Sequence, residues 1–186
     1  MNSFDPNNQL FKALDELDIC LKEKFLQVDI FICGAFAIQL LGYTRALHTQ
    51  DVDTLKEIDS EDILSTIKEV GEKLGLGPRW LNDQASTVSL PDGIFRRAKP
   101  LTHWSAIKAH LIDRSDLIKL KASAFSIRRD LTSKDWEDLV LLDPSRSEIE
   151  AAILFVAEVS SPPPGATKKS LEDFEETIDE LRKIIK

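Results

Sequence analysis

The sequence predicts an α/β protein of the α+β type, with a mixed central β-sheet flanked by helices and a helical C-terminal part. Three observations carry this. The β-branched, aromatic run VDIFIC at 28–33 is interrupted by Gly34 and leads straight into a helical pattern. Strand-like and helix-like periods then alternate up to about residue 112. From 115 onward only stripes of helical spacing remain, as expected where helices gather at one end of the chain.

Taken in order, residues 8–25 place Leu10, Leu14, Leu17 and Leu21 on one helical face with Phe11 and Phe25 alongside. The strand at 28–33 reads as apolar on both faces, the pattern of a central strand. AFAIQLL at 35–41 gives a short buried helix ended by Gly42, and QDVDTL at 50–55 a second strand. Ser60 caps a third helix with Ile63, Ile67, Val70 and Leu74 inward, stopped by Gly75 and Gly77. Strand candidates follow around STVSL (86–90), GIFRRA (93–98) and SAIKAHLI (105–112). Helices are then expected at 115–128, 134–142 and 145–158, the last opened by the capping box Ser145-Arg-Ser-Glu148. Residues 160–169, SSPPPGATKK, form a linker whose three consecutive prolines exclude both helix and ladder. The organisation is therefore a main domain at 1–159, the linker, and an amphipathic helix at 170–186. That helix carries Leu171, Phe174, Ile178, Leu181 and Ile185 at helical spacing, and docking on the 145–158 helix is its expected place.

Composition narrows the function classes. The apolar runs fall far short of the roughly 20 residues that cross a bilayer, and no basic-then-apolar leader opens the sequence, so a cytoplasmic protein with no membrane partner is expected. Cys20 and Cys33 are too few and too scattered for a disulfide framework or a zinc site, so no disulfide-linked partner is expected. The net charge of -8 opposes a protein devoted to nucleic-acid backbones. Residues 94–134 nevertheless carry ten Lys/Arg against three acids, a local +7 that suits either a solvated basic face or a cationic wall for a phosphate-bearing ligand.

The chemistry concentrates in FICGAFAIQLLGYTRALHTQDVDTL. Asp51 and Asp53 are two residues apart on an expected strand, so both carboxylates emerge on one face while Val52 points into the core. Two adjacent carboxylates repel unless a cation bridges them, and hard oxygen ligands with room for phosphate and water suit Mg²⁺. The strand ending at Gly34 opens a helix, whose free N–H groups at Gly34 and Ala35 face an anion. Together they describe a site for a nucleoside triphosphate.

These residues resemble the signature of the nucleotidyltransferase-fold superfamily, a strand ending at glycine, a helix, then a strand bearing Asp-x-Asp with an apolar middle residue. The longer pattern formed by Gly34, Ala37, Leu41, Gly42, Arg45, Thr49, Asp51 and Asp53 is similar to small bacterial members related to AbiEii-type and other toxin-antitoxin nucleotidyltransferases. Later blocks, through DLIKLKASAFSIRRDLTSKDWEDLVLL, extend the likeness over about 28–145. The resemblance implies a nucleotidyltransferase fold and Mg²⁺-dependent transfer of a nucleoside monophosphate from an NTP to a hydroxyl of an RNA or protein acceptor. It implies metal binding by Asp51 and Asp53, nucleotide binding by Gly34, Ala35, Arg45, Thr49 and Lys121, and catalytic roles for Asp51, Asp53, Lys121, Asp135 and Asp138. A cognate toxin-antitoxin protein is an implied partner.

The residues themselves leave alternatives. Lys121 and Arg128, two helical turns apart, share a face with Phe125 and could neutralise phosphate charge; equally, Lys119 and Lys121 flank an apolar stripe of Leu117, Leu120 and Ala124. Asp135 could be the first-turn acid of a helix capped by Thr132, with Asp138 a third acidic group. His48, His103 and His110 form no ligand or nucleophile pattern and read as bystanders, His48 standing nearest the acidic pair. Trp80, Trp104 and Trp136 read as core or groove wall, Trp80 bordering a nucleotide at most. The rival function is a catalytically degraded binding protein of the same fold, such as an antitoxin. Ala35, where the pattern has Gly or Ser, and the Arg45-to-Thr49 spacing favour it; the intact Asp pair disfavours it.

Overall fold

A computed structural model describes residues 8–44 and 49–184. Among these the protein is mixed α/β, with eight α-helices and a five-stranded mixed sheet. None of the described helices is long and apolar enough to cross a membrane. The chain divides into two compact units, residues 1–88 with 94–113, and residues 89–93 with 114–186.

The first unit holds the sheet. Helix α1 (Gln9–Glu23) is capped by the Asn8 side chain, which accepts from the Leu10 N–H, and it buries Leu10, Leu14, Leu17 and Leu21. It stops short of residue 25: Phe25 lies past the cap in a left-handed conformation (φ 55°) and is 94% exposed, so it leaves the apolar stripe assigned to it. Strand β1 (Val28–Cys33) runs directly into α2 (Gly34–Leu40). Then come β2 (Val52–Thr54), shorter than the expected 50–55, and α3 (Glu61–Leu74), capped by Ser60 and ended by Gly75 in the αL conformation. The remaining elements are β3 (Leu81–Asn82), the single-turn α4 (Ile94–Arg97), β4 (Lys99–Leu101) and β5 (Ile107–Leu111).

Two expected strands are not strands. STVSL begins in a 3-10 turn, Gln84–Thr87, because Asn82 and Asp83 offer turn chemistry: Asn82 Oδ1 accepts from the Gln84 N–H and the Asp83 carbonyl from the Ser86 N–H. GIFRRA contains α4, whose turn is closed by the Ala98 N–H donating to the Ile94 carbonyl. A strand instead forms at β4 despite Pro100, which is tolerated because β4 is an edge.

The strand order is β3-β2-β1-β5-β4, with β1 parallel to β5 and antiparallel to β2. One face, Ile30, Ile32, Val52, Ala109 and Leu111, is buried. The α1 leucines and Ile63, Ile67 and Val70 of α3 complete this core. Trp80 is fully buried here, its Nε1 donating to the Ile67 carbonyl at 2.8 Å, so it is a core residue. The opposite face is not apolar as expected. Asp29 and Phe31 of β1 are half-buried, because Asp29 is held by the ammonium of Lys56 at 2.7 Å.

The second unit is helical: α5 (Arg114–Arg128), α6 (Lys134–Leu142), α7 (Arg146–Ser160) and α8 (Lys168–Lys183). The Ser145–Glu148 capping box opens α7 as expected. Ser133, not Thr132, caps α6; the Thr132 hydroxyl donates instead to Asp130 at 2.7 Å. Helix α8 packs on α7 and also on α5, burying Thr177, Ile178 and Leu181, whereas Leu171 stays 47% exposed. Ile185 lies outside the described residues.

Candidate functional site

Strand pairing brings Gly34 and Asp53 together. Cys33, the last residue of β1, stands opposite Asp53 on β2, so the Asp53 side chain emerges where the chain turns into α2. A Cβ on Gly34 would lie 2.3 Å from Asp53 Oδ2, and Gly34 has φ +65°, so the position excludes any side chain on both counts. The main chain of Asp53 is held as well, its carbonyl accepting from the Cys33 thiol at 3.4 Å.

Asp51 lies just ahead of β2 and is exposed. Val52 between the two acids is fully buried and takes its place in the sheet by donating to the Trp80 carbonyl. Alternation turns Asp53 away from the core, and Asp51, just ahead of the strand, is exposed. Asp51 Oδ1 accepts from the Thr49 hydroxyl at 2.6 Å, so Thr49 orients that acid. Ala35 follows Gly34 on α2 with a half-buried side chain that offers no polar atom. Arg45 and His48 lie outside the described residues.

In the second unit Lys121, Asp135 and Asp138 meet between α5 and α6. The Lys121 ammonium is 2.9 Å from a carboxylate oxygen of Asp135 and 2.9 Å from one of Asp138, and Arg128 forms a further bond with Asp135. Both acids are buried. Burial on its own would lower the lysine pKa, but Asp138 and Asp135 outweigh it and hold the ammonium above its ordinary range. The shared face of Lys121, Phe125 and Arg128 is real: Phe125 is buried and packs on Trp136 with ring centroids 4.8 Å apart.

No family model, curated protein or solved structure matches the chain. Its function has to be read from its own side chains.

Sequence reasoning passed over Asp18 and Asp29 and read His110 as a bystander. Asp18 on α1 is buried, and its Oδ1 accepts from the N–H groups of Ser105, Ala106 and Ile107 at 2.9, 2.6 and 3.1 Å, fixing the entry to β5. Asp29 is a charge inside a strand that otherwise reads as apolar, and that interruption was the available signal. The basic segment 94–134 also reads differently once folded. Arg114, Lys119, Lys121, Arg128 and Arg129 each pair with a carboxylate, and all but Lys119 do so with acids outside the segment. A local +7 counted along the chain therefore overstates the charge left for a ligand. Among the described residues no group of three or more His, Cys, Asp or Glu is arranged to hold a metal ion. A pair of carboxylates still fits Mg²⁺, which keeps several waters and takes phosphate oxygens alongside one or two acids.

Proposed function

We propose that the protein is a Mg²⁺-dependent nucleotidyltransferase that moves a nucleoside monophosphate from an NTP to a hydroxyl of an RNA or protein acceptor. The observation that carries this is the Asp53 carboxylate seated against the side-chain-free turn at Gly34, with Asp51 two residues before it and exposed. Asp51 and Asp53 would hold the ion, whose chemistry is to draw charge off the phosphorus under attack and off the departing pyrophosphate. Thr49 fixes the direction of Asp51. The Asp53 carboxylate fills the space a Gly34 Cβ would take, and in this reading the main-chain N–H groups at Gly34 and Ala35 would meet the phosphates. Lys121, held by Asp135 and Asp138, acts in this reading by joining α5 to α6, with the acids setting its position and its charge largely spent on them.

The experiment is Mg²⁺-dependent binding of each NTP by calorimetry, comparing the native chain with Asp51→Ala, Asp53→Asn and Gly34→Ala. Each substitution is expected to weaken binding at least tenfold. Asp51→Ala is expected to leave thermal stability unchanged, since it removes an exposed acid from a repelling pair. Gly34→Ala combines loss of binding with roughly 1–2 kcal/mol of backbone strain. Metal-independent binding that ignores all three substitutions would refute the assignment. The second reading, a binding protein with a degraded site in a toxin-antitoxin pair, is favoured by the neutralisation of Lys121 and by Ala35. It predicts NTP binding without transfer.

A further inference from the structure

The sheet face that bears Asp53 carries a second polar group that the acidic pair does not use. In the parallel pairing of β1 with β5, Phe31 stands opposite His110 and Asp29 opposite Lys108. Alternation places Asp29, Phe31, His110 and Asp53 on one face, opposite the buried Ile30, Ile32, Val52, Ala109 and Leu111. The imidazole of His110 lies flat on Phe31, with centroids 4.5 Å apart and planes 12° apart, and Phe31 is braced edge-on by Phe95. His110 Nδ1 is 3.3 Å from Asp29 Oδ1, while the Lys56 ammonium holds Asp29 at 2.7 Å through Oδ2. Both facing atoms, Nδ1 and Oδ1, are buried and neither makes an aligned hydrogen bond. The histidine side chain still keeps 28% of its surface open to solvent.

A salt bridge between Asp29 and Lys56 would be complete without a histidine. The stacked, acid-backed imidazole therefore needs a further explanation, and its chemistry supplies one. A carboxylate facing Nδ1 favours the tautomer with the proton on Nδ1, which leaves the lone pair on Nε2. Ring stacking on Phe31 fixes the plane in which that lone pair points. The loose Nδ1–Oδ1 approach suits a pair that tightens when the ring becomes cationic, as general-base histidines do on taking a proton.

We propose that His110 is the general base of the transfer reaction, with Asp29 as its positioning residue; the inference rests on the nucleotidyltransferase reading above. The acceptor hydroxyl oxygen attacks the α-phosphorus of the NTP, and its proton passes to His110 Nε2. A new oxygen–phosphorus bond forms, the bond from the α-phosphorus to the bridging oxygen breaks, and pyrophosphate leaves with that electron pair. His110 then returns its proton to solvent. Among the described residues the charged groups beside the ring are Asp29, Lys56 through it, and Lys108, which stands opposite Asp29 on the same strand face as His110.

The test follows transfer from α-labelled NTP to total RNA or lysate protein against pH in the full chain, for the native protein, His110→Gln and Asp29→Asn, with Mg²⁺–NTP affinity measured beside it. His110→Gln is expected to lower kcat about 100-fold or more, to leave Mg²⁺–NTP affinity within twofold, and to remove the acid limb of the profile. Asp29→Asn is expected to lower kcat severalfold and to leave Mg²⁺–NTP affinity within twofold, because the ring loses the carboxylate that sets its tautomer. In ¹⁵N NMR the native His110 should carry its proton on Nδ1, and Asp29→Asn should mix the tautomers. His110→Gln at the native rate, or native tautomers already mixed, overturns the inference and leaves the transfer reading intact. A native chain that neither binds NTP nor transfers label overturns both.

Discussion

Asp18 holds three consecutive backbone N–H groups at the start of β5, and these donors lose their acceptor if its carboxylate is removed. Burial would raise the Asp18 pKa, but the Lys22 ammonium and the N–H groups of Ile107, Ala106 and Ser105 hold it below the ordinary value. A depressed carboxylate contributes stability in full above its unfolded pKa of about 4, and the contribution is lost as pH falls through the folded value. Asp18→Ala should therefore cost roughly 2–4 kcal/mol at pH 7 in urea unfolding, and the difference from the native chain should shrink below pH 4. A constant difference across pH would show that the charge plays no part. Neither this clamp nor the Asp29–His110 contact was legible in the sequence, because each joins distant segments, the first by packing α1 against the start of β5 and the second by pairing β1 with β5. The spacing of Asp51 and Asp53 was legible, and the inward Val52 expected between them is buried.

At the scale of elements, the Lys121 cluster decides how α5 meets α6. Lys121→Met leaves Asp135 and Asp138 buried, with Arg128 retained on Asp135 only, and removing one partner of a buried ion group costs roughly 3–5 kcal/mol. Urea unfolding should show a loss of that order, whereas a lysine that serves a ligand alone would leave the midpoint unmoved. The raised Lys121 pKa gives a second readout: its contribution is complete below about pH 10.5 and fades as pH rises through the folded value. The helices were read closely from sequence because caps and stripes are local, as at Ser60, Gly75 and Ser145. The region between 82 and 101 was misread for the opposite reason. There short apolar runs compete with Asn and Asp turn chemistry, and an edge position admits a proline that sequence rules exclude from a ladder.

At the scale of the whole molecule, the residues proposed for the reaction fall in two compact units, the acidic pair and Gly34 in one and Lys121, Asp135 and Asp138 in the other. The chain's acidic balance of -8 and the pairing of its basic segment leave metal-held phosphate as the better match to its chemistry than a cationic groove for nucleic acid. The most direct measurement is transfer of label from NTPs marked separately at the α- and γ-phosphates, incubated with the full chain, Mg²⁺ and total RNA or lysate. Covalent attachment of the α-label alone, abolished by EDTA and by Asp53→Asn, is the result expected. Transfer of the γ-label, α-transfer undiminished in Asp53→Asn, or no transfer from any of the four NTPs would contradict it.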